Sequence, residues 1–317
     1  ALLAGGLFVL TSLFILIALS WAYVVYGQVP AVDSVLWGVQ CAVAAVVIHA
    51  LGRVTRRSMP NFKQNMAAAR VFIALVAMSF IAIAVLHIGF LWIVAAAAAL
   101  GWLFARRFPP AVVKASNGPA AGPVSADFLI GDDTPTPAHA VFSKRKLLRV
   151  LLVGLGLWLA SMLALIAAVG WSASLTQMGW FFSKAALVTF GGAYAVLPYV
   201  TQTAVAQAWL TPEQMMTALA LGESTPGPLI MIVAFVGYVG QALEVQRMGA
   251  GANLLGASMF TMGCAGALVA TWFTFLPSFV FILAGGPFVE TTHGNLEFTG
   301  PLKMISAVVI GAMAALD

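Results

Sequence analysis

The feature that most constrains this chain is a series of apolar windows, each about as long as a membrane is thick. A helix needs about 20 mostly apolar residues to cross a hydrocarbon core of about 30 Å. The stretch 151–169, "LLVGLGLWLASMLALIAAV", meets that length without one charge. Similar windows are expected as spans at 2–26, 34–52, 68–87, 88–104, 147–170, 178–200, 226–243, 254–283 and 301–316. None alternates polar and apolar positions as a barrel strand does. The fold class is therefore an all-α polytopic membrane protein. The hydrophobic share of 62%, the charged share of 8% and the mean hydropathy of +1.01 exclude a soluble globular domain.

Basic residues gather in three clusters: Arg53, Arg56, Arg57, Lys63 and Arg70; Arg106, Arg107 and Lys114; and Lys144, Arg145, Lys146 and Arg149. The positive-inside rule puts all three in the cytoplasm, with 68–104 as a hairpin that leaves and returns. Residues 105–146 are too rich in Pro, Gly and small polar residues to bury a core and read as a cytoplasmic linker. Asp132, Asp133 and His139 fall in it and carry no site. Cys41 and Cys264 have no partner at a ligand spacing and read as small core residues, so no metal or redox pair is expected. The chain starts in full hydropathy without a basic leader and reads as beginning inside a larger protein, ending as abruptly at "GAMAALD".

Order is kept across the linker. "LTSLFIL" at 10–16 parallels "LPSFVFI" at 276–282, and "AVVIHAL" at 45–51 parallels "AVVIGAM" at 307–313, as in transporters built from internal repeats.

Four stretches after the linker depart from the apolar pattern: Lys184 with Thr189–Gly192, "GESTPGP" at 222–228, "FLPSF" at 275–279 and "GGPFVETTHGNLEFTGPLK" at 285–303. "TFGGAYAVLPYV" at 189–200 sets Gly191 and Gly192 inside an expected span, so the span near 190 is expected to be interrupted, as is the one near 280. At "GESTPGP", 222–228, Thr211, Pro212 and Glu213 mark the start of a helix running to about Leu221, and a new helix is expected to start with Ser224 or Thr225 as cap. Within hydrocarbon, unpaired amides cost several kcal/mol each, so irregular backbone survives only where protein, water or a ligand satisfies it. A restarted helix offers free N–H groups and a positive dipole end, which bind anions. Close helix packing is the competing reading of the glycine pair.

Ionisable residues at membrane depth are functional candidates by default. Glu223, beside the second break, is the expected coupling or gating acid, exchanging a proton or repelling the anion. Lys184, two turns before Gly191, is the expected cation, with snorkelling to the interface as its alternative. Glu290, His293 and Glu297 read as loop, and Glu244 and Arg247 as a helical surface pair.

At "FGGAYAVLPYV", "ESTPGPLIM", "FLPSF" and "GNLEFTGPLKMISAVVIGA" the chain resembles the chromate ion transporter (CHR) family, as it does at "SWAYVVYGQVPAVDSVLWGVQCAVAAVVIHALGR" before the linker. The resemblance implies residues 1–104 as the later part of a first repeat whose start is absent, and 147–317 as the second repeat. Thr11 stands where the second repeat has Pro277. It also implies a bacterial inner-membrane secondary transporter that exports chromate, with sulfate as a look-alike anion, and confers chromate resistance. Chromate is a tetrahedral dianion, and the residues expected to bind it are Lys184, Thr189, Gly191, Gly192, Ala193, Ser224, Thr225, Gly227 and Ser278. Moving a dianion out of a negative interior gains about 4.6 kcal/mol at 100 mV, so export needs no ATP, and no Walker A motif is present. The alternative is proton-coupled uptake of sulfate or another oxyanion. An enzyme is not expected, because G-x-S-x-G, H-E-x-x-H and paired intramembrane aspartates are missing, and a scaffold would leave the breaks without purpose. The expected partners are the transported anion and the lipid bilayer; a homodimer is left open, and no cofactor and no nucleic acid is expected.

If 178–200 and 226–243 each cross once, residues 2–26 run outward and 254–283 inward. The two halves are then inverted and Arg247 lies outside.

Overall fold

The computed structural model describes residues 2–58, 66–86, 92–97, 99–100, 143–188, 193–248, 258–291 and 310. The expected linker, most of the spans expected at 88–104 and 301–316, His293, Glu297, Thr189, Gly191 and Gly192 lie outside them. Every regular element among the described residues is helical: α1 (Leu2–Tyr26), α2 (Pro30–Ser58), α3 (Met66–Ala84), α4 (Lys144–Val169), α5 (Ser174–Val188), α6 (Ala193–Ala206), α7 (Pro212–Ser224), α8 (Ile232–Met248) and α9 (Met259–Thr291), with one 3-10 turn at Leu229–Met231 before α8. Five stretches are long and apolar enough to cross a membrane: Leu2–Tyr26, Pro30–Arg53, Lys144–Val169, Leu229–Arg247 and Met259–Gly286. The chain is a multi-pass membrane protein.

Helix directions follow from pairwise contacts. A Cβ at Gly5 would come within 2.9 Å of Phe279, and Trp21 meets Phe260 at 6.5 Å between ring centroids, so α1 and α9 run antiparallel. Gly154 packs on Val280, and the Trp272 indole donates to the Ser161 hydroxyl at 3.0 Å, so α4 also opposes α9. Leu2, Lys144 and Thr291 therefore share one end of the bundle, called here the basic end because Lys144–Arg149 lies there.

The short helices carry the main correction to the expected topology. Phe181, seven residues before the end of α5, stacks at 5.0 Å against Tyr199, six residues into α6. A straight continuation would hold them roughly 27 Å apart. The segment expected to cross once at 178–200 instead sets α5 and α6 side by side, a pair called here hairpin A. The legs of 15 and 14 residues reach only about 22 Å, short of a hydrocarbon core.

Helices α7 and α8 form hairpin B. Tyr23 of α1 lies beside Gln214 and Thr217 of α7 and also stacks on Phe235 of α8 at 5.4 Å, whereas Ser12 meets Pro226 and Gly227. Both legs thus share one level at Tyr23, and the tip lies eleven residues, about 16 Å, further along α1. Residues 226–243 form the returning side of this hairpin, and α1 and α9 run antiparallel as expected.

The core sits where hairpin B meets α1, α5 and α9. Tyr238, Phe182, Phe235, Phe273, Leu16 and Met178 are fully buried there. The span containing α8 is 67% buried and that of α4 only 11%, which makes α8 the axis and α4 a lipid-facing wall. At Gly237 and Gly266 a Cβ on either residue would fall on the other's carbonyl, so the absence of side chains lets the α8 and α9 backbones touch.

The expected interruption near 280 is absent, since α9 continues through Pro277 to Thr291. A transmembrane helix tolerates proline when local groups readjust, and here the Ser278 hydroxyl donates to the Thr274 carbonyl at 3.1 Å across that turn.

Candidate functional site

The start of hairpin B is built as its sequence dictates. The Thr211 hydroxyl accepts from the Gln214 N–H at 3.2 Å while the Gln214 side chain accepts from the Thr211 N–H at 2.9 Å, a complete capping box with Pro212 in the first turn. The other end of α7 differs from expectation. Ser224 belongs to α7, and Thr225 is its C-cap rather than the N-cap of the next helix. Both hydroxyls donate backward to the Leu221 carbonyl, at 3.2 Å and 2.6 Å. The two hydroxyls thus join the Thr225 N–H, which reaches the same Leu221 carbonyl at 3.1 Å, in closing the last turn of α7. The chain restarts later, with Pro228 as cap of the 3-10 turn that leads into α8.

Between these ends the backbone is irregular. Gly227 has φ +145, a region that L residues with side chains avoid, and a Cβ there would fall on the Ser12 hydroxyl. The N–H groups of Gly227, Leu229 and Ile230 have no acceptor among the described residues. Ser224, Pro226 and Gly227 are exposed, although Ser12 beside them is buried. Ser12 is ten residues from the basic end of α1 and fourteen from the other, roughly 15 Å and 21 Å. An accessible break whose donors have no acceptor among the described residues therefore lies near the middle of the bundle. Helix α6 of hairpin A packs against the 3-10 turn at this break.

The other expected site residues are distributed unevenly. Ala193 opens α6, directly after the undescribed glycine pair. Glu223 is half-buried in the last turn of α7, next to the break. Ser278 is separate: its neighbour Phe279 lies at Gly5, seven residues or about 10 Å from Ser12 along α1. Lys184 lies on the α5 stripe shared by Trp180 and Leu187, the exposed side of that helix, and its Nζ sits 5.7 Å from the Trp180 ring centroid. The buried side of α5 presents Phe181, Phe182 and Ser183 instead.

Sequence reasoning missed Ser12, Gln40 and Thr217. Gln40 donates to the Thr217 hydroxyl at 2.7 Å and fastens α2 to α7. A signal for Ser12 was present, because the internal repeat aligns it with Ser278. Arg247, expected as a partner of Glu244, donates to the Ala208 carbonyl at 2.7 Å and ties the mouths of the two hairpins.

Comparison with known proteins places these features in a family. The model of the family described as "Chromate transporter" matches residues 1–102 and 176–316. The chain is 27% identical over 316 residues to a chromate transport protein of Cupriavidus metallidurans, covering 99% of this chain and 61% of that protein. It is 28% identical over 315 residues to one of Pseudomonas aeruginosa, covering 99% and 62%, and 22% identical over 319 residues to a probable chromate transport protein of Synechococcus elongatus, covering 98% and 64%. The chain thus spans about three fifths of the length of these curated relatives. No solved structure matches it. With the family model covering most of its length, the chain belongs to the chromate transporter family.

Proposed function

We propose that the chain forms the larger part of a secondary transporter that exports chromate across a bacterial inner membrane and so confers chromate resistance. The observation that carries this reading is the accessible break of hairpin B near mid-bundle, where the N–H groups of Gly227, Leu229 and Ile230 have no acceptor among the described residues. Such donors in a low-dielectric setting suit a dianion, which would otherwise surrender its hydration. The names of the relatives support chromate as that dianion; uptake of sulfate finds no support in them.

In this reading the basic end is cytoplasmic, and both hairpins enter from the outer side. The oxyanion is held between the two tips by backbone N–H groups, with Gly191, Gly192, Ala193 and Gly227 admitting it and Thr189, Ser224 and Thr225 lining its approach. Ser278 lies on the cytoplasmic side of the route. Lys184 contributes long-range attraction, since its ammonium rests on Trp180. Glu223 gates the site or exchanges a proton there. The antiparallel course of α1 and α9, whose sequences parallel each other, supports inverted repeats.

The test is flux of radiolabelled chromate in vesicles containing the purified chain. Chromate is expected to move toward the positive side of an imposed potential, and Glu223→Gln is expected to alter the pH dependence of that flux. Absence of chromate flux, or flux indifferent to the potential, would sink the proposal.

A further inference from the structure

Ser12 lies outside both breaks, yet it is 1% exposed and joins α1 to the tip of hairpin B. Its hydroxyl has the Pro226 carbonyl at 2.9 Å and the Phe8 carbonyl of its own helix at 3.2 Å. A hydroxyl carries one proton, so the shorter, interhelical bond is the stronger claim on it. The acceptor matters more than the donor. In a helical turn the Pro226 carbonyl would take the N–H of Leu229 three residues on, or of Ile230 four residues on. Neither bond forms here: the Ser12 hydroxyl draws the carbonyl toward α1, Gly227 holds φ +145, and the N–H groups of Leu229 and Ile230 have no acceptor among the described residues.

We propose that Ser12 is a positioning residue for the oxyanion site. By drawing the Pro226 carbonyl toward α1, it holds the tip of hairpin B out of a continuous turn and keeps the Leu229 and Ile230 N–H groups available to the anion. Gly227 serves the same end, because only a residue without Cβ lets the Ser12 hydroxyl approach. The proposal rests on reading this tip as the oxyanion site, and it links α1, before the linker, to a break lying after it.

The test pairs a measurement that needs no anion with one that does. In nanodisc-embedded Ser12→Ala protein, the Pro226 carbonyl loses its donor and recruits Leu229 or Ile230, so amide exchange in a peptide spanning 229–231 should slow by about tenfold. A merely structural serine would give the opposite sign, since its loss loosens the tip and speeds exchange. In vesicles the same variant should raise KM for chromate by roughly tenfold or more, as expected for loss of a hydrogen bond to a charged ligand, with maximal flux largely kept. Ser12→Cys, nearly isosteric with a weak donor, should fall between wild type and Ser12→Ala in both measurements, and it decides the question if the alanine variant does not insert. Exchange that is unchanged or faster, or an unchanged KM, overturns the positioning role. Wild-type protein without chromate flux overturns the site reading itself.

Discussion

The two hairpins have legs of similar length and open toward the same end of the bundle, but they are held by different means. Hairpin A is held largely by apolar rings: Phe181 meets Tyr199 at 5.0 Å and Trp209 at 5.5 Å, Phe182 stacks on Trp209 at 6.3 Å, and Phe273 of α9 lies against Gly179. Hairpin B is held at its tip and legs by more directed contacts, from Ser12 and Tyr23 of α1, Gln40 of α2 and the Gly266 backbone of α9. Apolar packing is non-directional and fixes where two legs lie, without fixing the direction of any N–H group. Hydrogen bonds and a positive φ fix directions. The difference assigns scaffolding to the ring-packed legs of hairpin A and direction to the tip of hairpin B, so substitutions among the rings of A should act on stability and those at the tip of B on flux.

The largest effect that would sharpen this contrast is expected at Gly227. Gly227→Ala places a Cβ on the Ser12 hydroxyl at a φ that alanine avoids, so the tip must move. A displacement of about 1 Å at a site of matched donors is worth on the order of a hundredfold in rate. Chromate flux per inserted molecule should fall by about that factor, with a stability loss of only about 1–3 kcal/mol from the strained backbone. Flux within about threefold of wild type would show that the tip is not the site.

Trp209→Ala should show the converse. It removes the ring at which hairpin A meets Gly240 of α8, leaving a cavity in a buried cluster. Losses for such a truncation are about 3 kcal/mol. A large fall in melting temperature is expected, with chromate KM of the surviving folded protein nearly unchanged. A shift in KM larger than the loss of stability would erase the division between the hairpins.

Legibility in the sequence follows the same division. The spans of α1, α4 and α9 were readable because one physical quantity, apolar length, decides them. The start of α7 was readable because Thr211, Pro212 and Glu213 are local. The returns at the two tips were not, because a run of apolar residues has the same hydropathy whether it crosses or folds back; only the Phe181–Tyr199 and Tyr23–Phe235 contacts, far apart in sequence, reveal them. The roles of Ser224 and Thr225 were misassigned for a related reason: a hydroxyl between two helices can serve the carbonyls behind it or the N–H groups ahead, and here it serves those behind. Gly237 and Gly266 were invisible, since a glycine that lets two backbones touch looks like any other small residue.

Lys184 offers a milder test. On the exposed stripe of α5, with its ammonium near Trp180, it contributes at most a cation–π interaction of roughly 0.5–1 kcal/mol and a distant charge. Lys184→Gln should lower chromate affinity by no more than about fivefold, and Lys184→Arg should restore it. A loss comparable to that at Gly227 would mean that the side chain swings into the route, and hairpin A would then share the chemistry.

The smallest effect is expected where the two hairpins are joined. Helix α6 ends in a Schellman arrangement: the Trp209 N–H reaches the Ala204 carbonyl at 2.9 Å, the Ala208 N–H reaches Val205 at 3.0 Å, and Ala208 takes φ 53, a position that glycine normally occupies. Its carbonyl accepts the Arg247 guanidinium of hairpin B, so the strained residue is also the tie between the mouths. An L residue in this region costs about 1 kcal/mol, and glycine recovers part of that against its greater freedom when unfolded. Ala208→Gly is therefore expected to stabilise the protein by about 0.5 kcal/mol with flux unchanged, since the carbonyl that Arg247 needs is kept. If Ala208→Gly instead lowers stability, or if Arg247→Met changes flux while leaving stability intact, the tie between the mouths belongs to the transport machinery, and the hairpins do not divide scaffold from site.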